Sequence, residues 1–562
     1  MKSVRRYVAF AAICASGLNV GQAYGQFADD DIFDLSLEEL TQLKVTTSSR
    51  REEGLRAVAS SVTILSREQI RVLGLDNLNE LFDYIPGMQS QRNDTSSLNQ
   101  VVSSRGFSAI GSPREILFLL DGQRLNNIWS GGLGNTLSYM SLDHVDRVEF
   151  IRGPGSAIYG SNAMTGVVNI ITRSQREISV AGASNQQGRV SGQWRQTIGD
   201  SQWQVYANGI NDEGESLQIY NRFTGEVQPS SDPYSHREAY IKGQLGGLEI
   251  KWFVSEQNTE SFYTAGLISE QYNQLDSETQ TFNLKYTTPV SEMVSLTSTA
   301  SYSHRLFDIA GEISPEPIQI SIAGTVEERE LAGEFIFNYE NPNGSNGLLG
   351  LEFRQPELTN TDAYTRGFIE SYLPQAPTTK ETIRGLFAQY QMPLSENLQL
   401  TAGGRYDDYS RTGSHLSPRG GLVWTSSAEH TFKLLYGESF RAPTRDETDV
   451  QNSSVILANP DLDPEVAKTL ELIWQYTNTK RYRAVSLYST EINDPAIPTL
   501  TTPAQRVNGP KVTITGAEFE WQQQWKSHLQ TRLVASHLFD PASDASAEAE
   551  DTLTASVIYQ AA

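Results

Sequence analysis

The feature that most limits the fold is how the connections sort along residues 176–562. Eighteen segments there read as strands. Every connection from an even to an odd segment is short, as at Gly199-Asp200, Gly246-Gly247, Ser291-Glu292, Asn343-Gly344-Ser345, Ser395-Glu396, Asn478-Thr479-Lys480 and Lys526-Ser527. Connections from odd to even are often long: Glu213–Ser235, Thr259–Glu278, Asp308–Ala323, Thr359–Thr379 and Thr444–Glu465. Within the segments apolar residues alternate with others. Phe282, Leu284 and Tyr286 interleave with Asn283, Lys285 and Thr287, and Leu470, Leu472, Trp474 and Tyr476 with Glu471, Ile473 and Gln475. A period of two gives one apolar face and one mostly polar face. An up-and-down antiparallel barrel that crosses a membrane sorts its loops by parity, with tight turns at one rim and long loops at the other. A Greek-key sandwich has no reason to do so.

Bulk properties agree. Beyond the N-terminus no stretch of eighteen residues is uninterruptedly apolar, so no transmembrane helix is expected. A mean hydropathy of −0.40 suits a soluble protein, but also a barrel whose strands hide apolar residues in alternation. The formal charge of −23 argues against a nucleic-acid partner and against a polybasic membrane anchor. Residues 1–25 read as a secretory signal: Lys2, Arg5 and Arg6, then the apolar run Tyr7–Leu18, then Ala23-Tyr24-Gly25 for cleavage. Cleavage removes three basic residues and no acidic one, which takes the charge from −23 to −26. It also removes Cys14, the only cysteine; Ile13 before it speaks against lipidation. No disulfide or thiolate chemistry is then expected.

Residues 57–173 read as a small α+β domain. Ser61–Leu65 is a strand, Ser66 caps a helix that stops at Gly74, and Asp76 caps a second that ends before Pro86-Gly87. Val101–Phe107 and Glu115–Leu120 are strands, and Asp121-Gly122 is a tight turn. Val145 to Arg173 reads as strand, glycine-rich turn, strand. Asn169 lies inside an apolar run and needs a partner if buried. Gly155 to Ser161 has the spacing of a phosphate loop, but Ser161 stands where its lysine must be, so phosphate binding is rejected.

This domain resembles the plug of TonB-dependent outer-membrane receptors. The resemblance rests on Pro86-Gly87, Arg105-Gly106-Phe107, Leu120-Asp121-Gly122, Arg152-Gly153-Pro154, Tyr159-Gly160 and Gly166–Thr172, in that order. Later, Ser439-Phe440-Arg441-Ala442-Pro443, Asn459–Glu465 and Glu471 are similar to the family's barrel. The resemblance implies a mainly β fold: an antiparallel transmembrane barrel with an α+β plug in its lumen. It implies about 22 strands, against eighteen here, and a final aromatic residue, against Tyr559-Gln560-Ala561-Ala562. The expectation is therefore a C-terminally incomplete barrel over 174–562, with a true 18-stranded barrel, whose lumen would fit a plug of this size less well, as the alternative. It further implies a TonB box in the extension 26–56. Ser36-Leu37-Glu38-Glu39 there is a helix-capping pattern. Lys44, Val45, Thr46, Thr47 and Ser48 follow, β-prone and without a partner strand nearby. An extended linker would read the same way; the resemblance favours a free strand kept for pairing with another protein's sheet edge.

No catalytic set stands out, so an enzyme is not expected. The seven histidines lack zinc-site spacing. Asp446, Glu447 and Asp449 lack the glycine and distal glutamate of a calcium loop. No metal or cofactor is expected. Arg105 and Arg152, if buried in a lumen, need carboxylates, and Glu471 has inward parity. Ligand candidates are Arg92, Asn93, Asn126, Asn127 and Trp129 at plug loops, with Phe262, Tyr263 and Tyr272 in an outer loop. The resemblance implies active import of a large scarce ligand, most often an iron-siderophore, with haem or cobalamin as alternatives. Implied partners are a TonB-type coupling protein and outer-membrane lipid of a Gram-negative cell; a monomer is expected. A passive or oligosaccharide porin and a secreted β-rich carbohydrate enzyme are the competing readings.

Overall fold

The structure is a computed structural model. It describes residues 44–45, 47, 50, 53–92, 100–107, 113–133, 139–183, 186–214, 217–220, 225–264, 267–268, 273–314, 320–367, 371–374, 376–451, 456–499, 504–526, 529–540 and 549–559. The signal segment and the capping pattern at Ser36–Glu39 lie outside these residues.

The N-terminal part runs β1 (Lys44–Val45), β2 (Glu53–Gly54), β3 (Ser61–Ser66), α1 (Arg67–Leu73), a 3₁₀ helix (Leu78–Tyr84), β4 (Met88–Arg92), β5 (Gln100–Ser104), β6 (Ile116–Leu120), β7 (Gln123–Arg124), β8 (Val145–Arg152), α2 (Ser156–Tyr159) and β9 (Gly166–Thr172). One sheet has the order β3-β8-β9-β6-β7, with β6 and β9 parallel. Ser66 caps α1 in a reciprocal box with Gln69, and Gly74 closes it at φ 68°. The next cap is Asn77, not Asp76: the Asn77 side chain accepts from the N–H groups of Asn79 and Glu80, and the helix it starts is 3₁₀. Asp121 (φ 46°) and Gly122 (φ 81°) form the two-residue turn between β6 and β7. Between β8 and β9 the turn holds the one-turn helix α2, which the glycine spacing alone does not announce. Phe82 meets Phe118 and Phe150 edge-on at 6.3 and 5.8 Å in the core.

Three small sheets and the one-turn helix Arg445–Thr448 lie in the connections among the described residues; most of the rest is one sheet of twenty members. Apart from the short Ser371–Pro374 and Thr379–Lys380, these are eighteen long strands, from Glu177–Gly182 to Asp551–Tyr559, each antiparallel to the next. The sheet wraps the plug. Arg67 reaches Glu177 on the first strand, and Thr554 on the last donates to the Asp83 carbonyl. The alternation puts the polar face inside: Leu470 and Leu472 are 54% and 50% exposed, while Glu471 between them is 3% exposed. Outward Trp252, Phe282, Phe335, Leu351 and Phe353 continue the apolar face.

The parity of connections is present, but several long loops are shorter than their composition suggests. Val294–Ser314, Ile320–Glu340 and Asn346–Gly367 are strands of 21, 21 and 22 residues. A span needs about 9–11 residues, so about half of each stands beyond the bilayer as a tall hairpin. The strict apolar-outside alternation lapses there because water, not lipid, faces the outer side. The plug's start lies at the short-turn rim, where Arg56 meets Ser427 and Thr431. Its Arg114 and Trp129 lie toward the opposite rim, near Thr444 and Glu328. At two places where the plug packs against the wall, the wall residue is glycine. A β-carbon at Gly421 would stand 2.8 Å from that of Ala59, and one at Gly437 2.8 Å from Pro154.

A charge on the lipid face tests this orientation. Leu472→Arg should destabilise the barrel by about 2–4 kcal/mol in lipid, measured by denaturant unfolding. The inward neighbour change Thr469→Ser should cost far less.

Candidate functional site

Two stretches of the plug combine with the wall into polar sites. The first is an arginine–glutamate quartet. Arg105 sits in the left-handed region (φ 55°), ahead of Gly106, which turns its side chain from the end of β5 toward the wall. Its guanidinium bonds Glu471 at 2.6 and 3.3 Å and Glu518 at 2.8 and 3.2 Å, and lies 4.4 Å over the Tyr488 ring. Arg152, at the end of β8, bonds the other side of Glu518. Ser486 donates to Glu471. Two cations and two anions cancel where water is excluded. Burial alone would lower the Arg105 pKa, and the two glutamates overcome this and raise it. Glu518 was not singled out in the sequence; it has the inward parity of its strand, Val512–Lys526, as Glu471 has of Glu465–Asn478.

The second site holds the N-terminal segment. Lys44 and Val45 pair with Gly54 and Glu53, and Val45 is fully buried among Leu117, Leu119, Ile158 and Val167. Thr47 N–H and Oγ1–H donate to Glu149 at 3.1 and 2.5 Å, and Tyr159 donates to the Thr47 carbonyl at 2.7 Å. Asn169 gives its amide to Thr47 Oγ1 at 3.0 Å and takes the Gly122 N–H, which supplies the partners its burial demands. Arg50 bonds Glu334 at 2.6 and 2.5 Å and covers the Tyr159 ring at 4.6 Å. The segment is therefore docked here, not free: Val45 finds apolar cover, and Thr47 finds polar partners for its backbone and its hydroxyl. Thr46 and Ser48 lie outside the described residues. Beside it is a cavity of about 630 Å³ between plug and wall, lined by Arg50, Asp121, Tyr159, Lys242, Glu249 and Glu334 among others.

Two further contacts have no signal in the sequence beyond inward parity. Asp121, at the tip of the β6–β7 hairpin, accepts from Tyr240 at 2.6 Å and Lys242 at 3.0 Å, and its carbonyl takes Lys251 at 2.8 Å. Burial opposes its ionisation, but Lys242 and Lys251 outweigh that and hold its carboxyl below the usual range. His144 stacks on Tyr206 at 4.4 Å and faces Glu238 at 3.7 Å, which His236 also meets at 3.2 Å.

The outer candidates are mostly occupied by structure. Asn126 is buried and spans the Phe118 N–H and the Ile116 and Gly131 carbonyls. Asn127 caps a turn at Ser130. Trp129 is half-buried against Val326, Leu358 and Ala376, and its N–H, with that of Ile128, donates to Glu328. Phe262 is buried with Leu275. Arg92 closes β4 and Tyr263 belongs to the two-residue strand Tyr263–Thr264, with side chains not described; Asn93 and Tyr272 lie outside the described residues. Asp446, Glu447 and Asp449 are taken by arginines: Arg114 pairs Asp446 and Glu447, Arg441 pairs Glu447, and Arg445 and Arg411 pair Asp449.

Residues 54–167 match the TonB-dependent receptor plug domain, and residues 203–554 match the TonB-dependent receptor-like β-barrel. The chain belongs to the TonB-dependent receptor family. Like others of this family it is a plugged barrel. It is 26% identical over 440 residues to the vitamin B12 transporter BtuB of Vibrio vulnificus, an alignment covering 76% of this chain and 66% of that relative. Among solved TonB-dependent receptors, the siderophore receptor PirA from Acinetobacter baumannii superposes with a TM-score of 0.67 at 16% identity, covering 85% of this chain and 80% of that one. A mutant of the ferric enterobactin receptor PfeA from Pseudomonas aeruginosa gives 0.68 at 17%, covering 86% and 80%. These structures share the fold.

Two outcomes test the charged sites. Glu518→Ala should cost about 3–5 kcal/mol, the usual penalty for stranding a buried ion, and more than Glu471→Ala, because Glu518 serves two guanidiniums; denaturant unfolding reads both. Glu115 in the plug gives a pH dependence. Its carboxyl is pushed up to about 7, by burial first and by Glu465, against the pull of Arg441 and Arg114. A raised carboxyl pKa stabilises the protonated folded form, so stability should fall as pH rises from about 4.5, the usual glutamate range, to about 7. Glu115→Gln should flatten that part of the pH–stability curve.

Proposed function

We propose that this chain imports a large, scarce ligand across the outer membrane of a Gram-negative bacterium, energised by a TonB-type coupling protein in the periplasm. The observation that carries this is the Lys44–Arg50 segment. Its Lys44–Val45 is a short strand, and the segment is held near the short-turn rim by Thr47 on the plug and by Arg50 on Glu334 of the wall, beside a lumen that the plug occupies. A passive pore needs neither a plug nor a detachable strand, which disfavours the porin reading. Coupling by strand addition draws on backbone groups, and those of Val45 and Thr47 become available once the segment leaves its dock. The proposed organisation is a signal over 1–25, an extension with the coupling strand over 26–56, the plug over 57–173 and the barrel from 174, acting as a monomer.

For cargo, two readings are supported by different observations. The relative with 26% identity is named for vitamin B12, which favours a corrinoid. The fold neighbours include siderophore receptors, which keeps a ferric siderophore in play. Recognition is assigned to the plug tips and outer hairpins that carry Arg92, Asn93, Trp129, Tyr263 and Tyr272.

Uptake of cyanocobalamin and of ferric enterobactin by cells with and without the coupling protein tests the proposal. Coupling-dependent uptake of either is expected; equal uptake without coupling would return the porin. Val45→Pro and Thr46→Pro should abolish uptake and leave binding at the outer face unchanged, because proline removes a donor and fixes φ. Thr46→Ala should do much less.

A further inference from the structure

We propose that Lys433 and Arg419 are positioning residues that clamp Leu55–Ser60 to the barrel wall and keep a pull on Lys44–Ser48 from reaching the plug sheet. The inference rests on those five residues being the point of pull; the experiment below does not.

Leu55 to Ser60 is the turn between β2 and β3. Lys433 Nζ donates to the Leu55 carbonyl at 2.9 Å and to the Ser60 carbonyl at 3.3 Å, so one ammonium holds both ends of the turn. Arg419 donates to the Ala59 carbonyl at 2.8 Å and to Ser60 Oγ at 3.3 Å. From the turn itself, Arg56 reaches back to Thr431 Oγ1 at 3.2 Å and to the Ser427 carbonyl at 3.2 Å. Ala59 packs on Val423, Leu435 and Ile473, in the space left by the missing side chain of Gly421. The wall partners all belong to Gly413–Thr425, His430–Arg441, Glu465–Asn478 and the turn at 426–429. Most of the acceptors on the plug side are backbone carbonyls, so the clamp grips the path of the chain.

The attachments on either side are of another kind. Upstream, two strand pairs, the Thr47 hydrogen bonds and the Arg50–Glu334 ion pair lie in series, so a pull breaks them one after another. Downstream, β3 is the edge of its sheet and would unzip from β8 if force reached it. Between them the clamp shares load across charge-assisted bonds and a packed side chain, all anchored in the barrel. A pull then frees residues 44–54 and uncovers the cavity at Arg50, Tyr159 and Glu334, while β3 stays paired.

Single-molecule pulling on the processed chain in nanodiscs, with the handle on Thr46→Cys as the sole cysteine, tests this. The parent should first lengthen by roughly 30 Å, for residues 47–54 at about 3.5 Å each, and hold before a second event at higher force. Lys433→Met with Arg419→Met should merge the two into one extension of roughly 70 Å, through residue 66, at lower force. A parent that runs through β3 in one event, or a double variant that keeps the second force peak, would overturn the clamp. A disulfide from Ala59→Cys with Gly421→Cys, pulled through a cysteine-free peptide tag at the N-terminus in place of the Thr46→Cys handle, covers the case in which the double variant folds poorly. Oxidised, it should abolish the second event and spare the first, and reduction should restore it; loss of the first event would also overturn the clamp.

Discussion

Lipid offers no hydrogen-bonding partner to a peptide group. A chain that crosses it in strands must therefore satisfy every backbone amide sideways, and strand after strand is added until the sheet curls round. The same condition turns the apolar face outward and leaves a lumen lined with polar side chains. In this protein that lumen is filled, and filling it sets the second condition: an ionised group buried on the plug needs an opposite charge, and several find it on the wall. Arg105 and Arg152 with Glu471 and Glu518, Asp121 with Lys242, and Arg50 with Glu334 meet it at separate places around the wall.

These contacts differ in how they can be undone. The quartet is closed: Arg105 holds both glutamates, Glu518 also takes Arg152, Glu471 also takes Ser486, and all four ions are buried. Asp121 is held at the tip of a rigid two-residue turn. The Lys44–Arg50 segment is held by a two-pair hairpin, by hydrogen bonds around Thr47 and by the Arg50–Glu334 pair, each of which a pull along the chain meets in turn beside the cavity. A plug built this way has one weak margin and several strong ones, which is what transport through a filled barrel requires if the barrel is to survive each cycle.

Much of this was legible in the sequence, through patterns that are local. The alternation around Glu471, the cap at Ser66, the Asp121-Gly122 turn and the buried partner for Asn169 all follow from residues a few positions apart. What was not legible depends on register. Glu518, Lys242, Glu238 and Glu334 carry the inward parity that many lumen residues carry, and only the stagger of the strands sets which of them stands at the height of which plug residue. The loops misled for a different reason: hairpins that rise above lipid lose the apolar alternation while keeping the ladder. Trp129 is half-buried against Val326, Leu358 and Ala376, and Phe262 is buried with Leu275, contacts that loop composition alone does not announce.

The glycines of the wall carry a further meaning. At Gly421 and Gly437 the barrel fits its plug through atoms it lacks, each absent side chain making room for one plug residue, Ala59 or Pro154. Such a fit is private to the pair. A plug transplanted from a sister barrel would arrive with its own bumps over this barrel's hollows in different places, and would leave gaps here and collisions there. Along this seam a side chain gained at Gly421 or Gly437 calls for a matching retreat at Ala59 or Pro154.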